Sequence, residues 1–205
     1  MWKAAIPAVS LALVAAMSGC RVNVEKSANG GDKNVQVDTP FGGVHVNTDR
    51  ISAADLGLPV YPGAQQEANR NNRKSADVHL GFGEFQLRVR TVSYTTADAR
   101  EQVTAFYKKA LGRYGDVIVC QGNAPVGTPT STAEGLTCDF DGKSSKTQSY
   151  GENYGTSKDA LHMKAGSKRH QHIVAFDETP EGKTRFTMVA LDLPAEVEGK
   201  SEKSD

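Results

Sequence analysis

Hydrophobic and polar residues alternate over two neighbouring stretches. Ala76, Val78, Leu80 and Phe82 are separated by Asp77, His79 and Gly81, and Phe85, Leu87 and Val89 by Gln86, Arg88 and Arg90. A period of two puts each apolar set on one face of a strand, which predicts two strands with one buried face each. The period then changes. Val103, Phe106, Tyr107, Ala110 and Leu111 recur at helical spacing, Thr95 and Thr96 offer caps, and Gly112 and Gly115 close the run, so one helix is predicted over 97–113. Downstream, 160–163, 172–176 and 185–191 read as three further strands, the last two joined by the turn residues Thr179-Pro180-Glu181-Gly182-Lys183.

Upstream the pattern is weaker. Val22-Asn23-Val24, Val35-Gln36-Val37 and Val44-His45-Val46 are short alternating pieces, and the last two flank Asp38-Thr39-Pro40-Phe41-Gly42-Gly43, which has hairpin-turn chemistry. We read Ser27 to Lys33 as a tether followed by a small hairpin of marginal stability, because two strands alone are marginal. The prolines and glycines of Asp55-Leu56-Gly57-Leu58-Pro59-Val60-Tyr61-Pro62-Gly63-Ala64 exclude a regular helix or central strand and predict an extended lead-in laying Leu58, Val60 and Tyr61 on the core. One helix set into a run of strands predicts an α+β fold: a mostly antiparallel sheet with the helix packed on one face, in two layers.

Composition narrows the function classes. The 205 residues hold 24 Lys+Arg against 24 Asp+Glu, with 38% hydrophobic residues and 20 glycines. That is an ordinary globular composition, and its balanced charge supplies no overall field to attract nucleic acid.

The first residues change the picture more. Met1-Trp2-Lys3 carries one positive charge, Ala4 to Ala16 carries none, and Ser18 and Gly19 are small, which is the layout of a secretory leader too short to span as a mature helix. Ala16-Met17-Ser18-Gly19-Cys20 then resembles the lipobox of bacterial lipoproteins, with Met17 in place of the usual Leu. The resemblance implies removal of residues 1–19 and acylation of the Cys20 thiol. Two or three acyl chains are enough for stable anchoring. With Arg21 rather than Asp after the cysteine, it also implies outer-membrane sorting if the cell is diderm. The expected location is therefore an exported, lipid-anchored site on a bacterial membrane, at a periplasmic or surface face.

Removal of 19 of the 205 residues leaves 186, enough for one domain with its own core. The expected organisation is a lipidated N-terminus, tether and hairpin over 20–50, an α+β domain over 51–194 and a charged tail over 195–205. A second likeness bears on the fold alone. Leu58-Pro59-Val60-Tyr61-Pro62-Gly63-Ala64, the following strands and the helix containing Val103 to Leu111 resemble a module of uncharacterised exported bacterial proteins, over roughly residues 55–120. No activity comes with it.

With Cys20 committed to lipid, Cys120 and Cys138 are the remaining thiols, and an exported chain meets an oxidising compartment where they would pair. We expect the bridge to close a long hairpin between strands Val117–Cys120 and Leu136–Phe140. A catalytic thiol or a metal pair is disfavoured, since neither cysteine has the close partner spacing of a zinc or redox motif.

Histidine is the first candidate for chemistry. His170 and His172 are two apart on one strand, roughly 7 Å between Cα atoms, and with His162 on the preceding strand a three-histidine metal site is geometrically open. Lys164, Lys168 and Arg169 crowd the same region and would repel a cation. The favoured reading is a solvated basic strand end, able to contact anionic headgroups or acidic wall polymers, and no cofactor is expected. Tyr150 and Tyr154 lie in a Gly- and Ser-rich loop that is either an adaptable recognition surface or folds back on the sheet. Asp139-Phe140-Asp141-Gly142 lacks the ligand set of a calcium loop and reads as a turn.

No phosphate loop, dinucleotide motif, nucleophile elbow or zinc helix is present in the sequence. The expected function is a lipid-anchored, non-catalytic binding or structural module of the envelope. The alternative is a metal-assisted hydrolase using His162, His170 and His172. A third class, an assembly partner for another envelope protein, would show an exposed apolar patch or an unpaired strand edge.

Overall fold

Strand-forming alternation dominates the described chain. The computed structural model describes residues 19–26, 33–67, 74–138, 160–177 and 182–194. In chain order its elements are β1 (Arg21–Lys26), β2 (Lys33–Thr39), β3 (Gly42–Thr48), β4 (Gln65–Gln66), β5 (Ser75–Phe82), β6 (Phe85–Thr96), α1 (Arg100–Leu111), β7 (Ile118–Gln121), β8 (Ala124–Pro125), β9 (Leu161–Gly166), β10 (His170–Asp177) and β11 (Thr184–Asp192). A 3-10 turn at Ala53–Leu56 precedes β4, and a second at Gly112–Tyr114 follows α1.

The strands form one open sheet in the order β1-β2-β3-β5-β6-β11-β10-β9-β7-β8, with β4 also on β6. Every pairing is antiparallel. With its single α-helix among the described residues, the chain is α+β. The long strand β6 is the spine: β5 and then β4 pair along one edge, β11 along the other.

The predicted helix packs as its pattern requires. Val103, Tyr107 and Leu111, four apart, are fully buried with Val92, Tyr94, Met163, Val174, Phe176, Phe186 and Met188 of the sheet. Tyr107 also fixes the lead-in segment, its hydroxyl accepting from Tyr61 N at 3.1 Å and donating to Pro59 O at 3.2 Å. Burial pushes that hydroxyl's pKa up, so it stays a neutral donor.

Several expectations need correcting. The helix begins at Arg100, not 97, because β6 runs on through Thr95 and Thr96, whose backbones pair with Arg185 and Thr184. Strand pairing claims the two threonines that looked like caps. Val60 is exposed, whereas Leu56 and Leu58 are buried. Leu136–Cys138 is not a strand, because both edges of β7 are already taken by β9 and by β8 after a tight return at Gly122-Asn123. The disulfide forms nonetheless, with Cys120 and Cys138 Cα atoms 5.6 Å apart, and it buries both residues with Ile118 and Leu136 in a small second cluster.

The N-terminal hairpin is part of the same sheet. β1 pairs along its whole length with β2, and β3 pairs with β5, so the three strands extend the main sheet. The reason is matching apolar positions: Val44 faces Leu80 and Val46 faces Val78 across the β3–β5 ladder. Residues 27–32, most of the expected tether, lie outside the described residues.

Candidate functional site

Strand register decides where the histidines go. In an antiparallel pair, residues directly opposite share a face. His172 faces Ala165 and Met163 faces Val174, which puts His170 and His172 on the α1 face, whereas His162 faces Ala175 and lies on the other. The three imidazoles therefore do not converge, and among the described residues no group of three or more His, Cys, Asp or Glu is placed to hold a metal ion. Tyr150 and Tyr154 lie outside the described residues.

Each of these histidines is held differently. His162 is buried beside the disulfide cluster, and burial, reinforced by Lys164, pushes its pKa down to about 4. Lys164 is itself 2% exposed and donates from Nζ to the carbonyls of Thr137 at 3.0 Å and Cys138 at 3.5 Å. It is a scaffold contact under the disulfide loop rather than part of a basic surface. His172 stacks on Tyr114, ring centroids 3.6 Å apart, and burial followed by the Arg90 guanidinium holds its pKa below the usual value. His170 is exposed and bonds Asp192 through Nδ1 at 2.9 Å. Burial raises the Asp192 carboxyl, but His170 and Arg90 outweigh it and leave the pKa lowered. Lys168 and Arg169 occupy the β9–β10 turn, which Ser167 closes by accepting from His170 N.

The N-terminal strands carry a sharper division of chemistry. On the α1 side, Asn23, Gln36, His45, His79, Arg88 and Asp192 stand opposite one another in a single row across six strands. Local partners hold the row in place. His45 bonds Asp38 at 2.9 Å and His79 bonds Gln86 at 2.9 Å, while Arg88 grips Asp77 through two bonds of 3.0 and 2.7 Å. The His45 bond, with that of Gln36, keeps the Asp38 carboxyl below the usual carboxylate range. A shallow groove of about 260 Å³ runs between Asn23, Glu25, Asn34, Gln36, His45 and Arg50.

The opposite face of the same strands is aliphatic. One row reads Val22, Val37, Val44, Leu80 and Leu87, and the next reads Val24, Val35, Val46, Val78 and Val89. Val22 and Val24, on the outer strand β1, are exposed, and the other eight are half-buried. At one end of these rows the β2–β3 and β5–β6 turns bring Phe41, Phe82 and Phe85 to the surface. Gly42 makes this possible. At φ +154° a Cβ there would overlap the Gly81 carbonyl and come 2.6 Å from the Phe82 ring, so only glycine lets the two turns close on each other.

Cys20 lies at this same end, exposed, one residue before β1. Sequence reasoning missed the phenylalanine tip and the aliphatic face. The three Val-x-Val pieces carried the signal, but only the register shows that they fall on one face. No family model, curated protein or solved structure matches the chain.

Proposed function

We propose that the chain is exported, anchored to a bacterial membrane through a lipid on Cys20, and serves there as a non-catalytic binding or structural module of the envelope. The observation that carries this reading is the division of the cysteines. Cys120 and Cys138 are bridged, as an oxidising exported compartment maintains, while Cys20 stands exposed at the start of the outer strand. The lipobox-like run ending at Cys20 points the same way.

The non-catalytic part rests on how the polar side chains are used. His45, His79 and His170 bond scaffold partners, and His162 is separated from His170 and His172 by the thickness of the sheet. Within this reading the fold has two layers, α1 lying over one face of the sheet that β1–β3 extend. The groove on the polar face and the Lys168-Arg169 turn are the candidate contacts for a wall polymer, anionic headgroups or another envelope protein. Arg21 after the cysteine favours the outer membrane in a diderm cell.

Cys20→Ser is the direct test. The variant should accumulate as an unprocessed or soluble precursor, while wild type fractionates with membranes and its N-terminal peptide carries the mass of acyl chains. A Cys20→Ser chain that matures and fractionates like wild type overturns the reading.

A further inference from the structure

We propose that the sheet end formed by Phe41, Phe82 and Phe85, with the adjoining aliphatic face, docks onto the lipid bilayer beside Cys20. The inference rests on the reading of Cys20 as the anchored residue. It adds a surface and an orientation: the domain does not hang from its lipid on a leash but lies against the membrane.

Three observations converge on one edge. Phe41 is 85% exposed, Phe82 45% and Phe85 38%, and all three sit on neighbouring turns. Arg21 pairs with Asp38, two residues before Pro40, which puts Cys20 next to the Phe41 turn. Between Cys20 and the sheet there is no spacer, because β1 starts at Arg21. A strand rises roughly 3.3 Å per residue, so Val22 lies about 7 Å along the chain from the acylated position. Acyl chains on Cys20 would therefore hold the phenylalanines and Val22 within side-chain reach of the interface before any protein partner arrives.

The two-sided chemistry fits a planar boundary. The aliphatic face can meet acyl chains while the opposite row of Asn, Gln, His and Arg stays in water. This is the arrangement by which interfacial elements lie at the headgroup boundary rather than span it. Glu84, exposed between Phe82 and Phe85, limits the depth, since its carboxylate must remain among the headgroups. Docking is therefore shallow and apolar in origin. It needs no anionic lipid, and it survives about 1 M salt, where screening confines charge contacts to about 3 Å.

The test uses the mature protein purified from membranes. Phe41→Trp and Phe82→Trp each introduce a single reporter, because Trp2 is the chain's own tryptophan and leaves with residues 1–19. Val60→Trp is the control, at an exposed position whose neighbour Tyr61 bonds Asp98, just past the end of β6 away from Phe85. In phosphatidylcholine vesicles brominated on mid-chain carbons, the fluorescence of the Phe41→Trp and Phe82→Trp proteins should shift to the blue and be quenched, in low and high salt alike, while that of Val60→Trp should not respond. If the N-terminal peptide carries acyl chains but all three reporters behave alike, docking is overturned and anchoring stands. A protein without acyl chains overturns anchoring instead. Flotation then decides docking: the chain should float with the same vesicles, and Phe41→Ser with Phe82→Ser should reduce that roughly tenfold or more. Failure to float overturns docking. Shielding of the Phe41→Trp reporter without vesicles, with a dimer by size-exclusion chromatography, would assign the face to a second copy of the chain and also overturn it. Both phenylalanines are surface residues, so neither replacement threatens the core.

Discussion

His162 shows how one residue's burial sets a property of the whole domain. Its imidazole sits on the disulfide side of the sheet, buried, with Nε2 unpartnered among the described residues and its pKa pushed down to about 4 by burial and then by Lys164. In the unfolded chain the same group titrates near 6.5. Between those values the unfolded state binds the extra proton, so the neutral ring contributes stability above pH 6.5 that is lost as pH falls toward 4. The full span corresponds to a loss on the order of 3 kcal/mol. His162→Gln should flatten that fall, and urea unfolding at pH 7 and pH 4.5 measures it. The lowered pKa of His172 adds a fall of the same sign that remains in the variant. Equal losses in wild type and His162→Gln would show that His162 is not the group responsible. The sequence could not have assigned these roles. It placed His170 and His172 on one face by their spacing, but the face of His162 depends on the β9–β10 register, where a slip of one residue inverts every side chain.

Among the elements, β5 and β6 were legible from clean alternation, and β10 and β11 from short apolar, β-branched and aromatic runs bounded by turn residues. The errors fell where two elements compete for the same residues or the same edge. Thr95 and Thr96 have cap chemistry, but pairing with β11 prevails over a cap. Leu136–Cys138 has strand composition but finds no free edge on β7, which β8 and β9 occupy. The segment is held to the sheet by the bridge, by a small apolar cluster and by the Lys164 bonds to Thr137 and Cys138. The loop closed by the bridge spans 18 residues, for which the chain-entropy account gives about 3 kcal/mol. Replacing both cysteines by serine should cost about that much in urea unfolding at neutral pH. Amide exchange should rise most at Thr132, Gly135 and Leu136, whose hydrogen bonds close that loop. A loss below about 1 kcal/mol would mean that the apolar cluster and Lys164 hold the segment without the bridge.

At the scale of the molecule, one continuous ladder joins parts with unequal support. The buried apolar core lies under α1 and draws on β6, β9, β10 and β11, whereas β1, β2 and β3 contribute none of its residues. The outer strands are held by ladder hydrogen bonds, cross-strand valine pairs and polar contacts such as His45–Asp38, each worth little alone. Strands whose apolar faces are exposed or half-buried open at lower free energy than the core they extend. Amides of β1–β3 should therefore exchange well before those of β6 and β10 in the protein in solution, and at a denaturant-insensitive rate, because opening the N-terminal strands exposes little buried surface. Binding to vesicles should slow β1–β3 selectively, since a bilayer against the valine rows adds burial to side chains that the described residues leave exposed or half-buried. Hydrogen exchange read by mass spectrometry, with and without phosphatidylcholine vesicles, measures both effects. If β1–β3 exchange as slowly as β10 without vesicles, the sheet opens as one unit. The N-terminal strands would then need no covering surface to be stable.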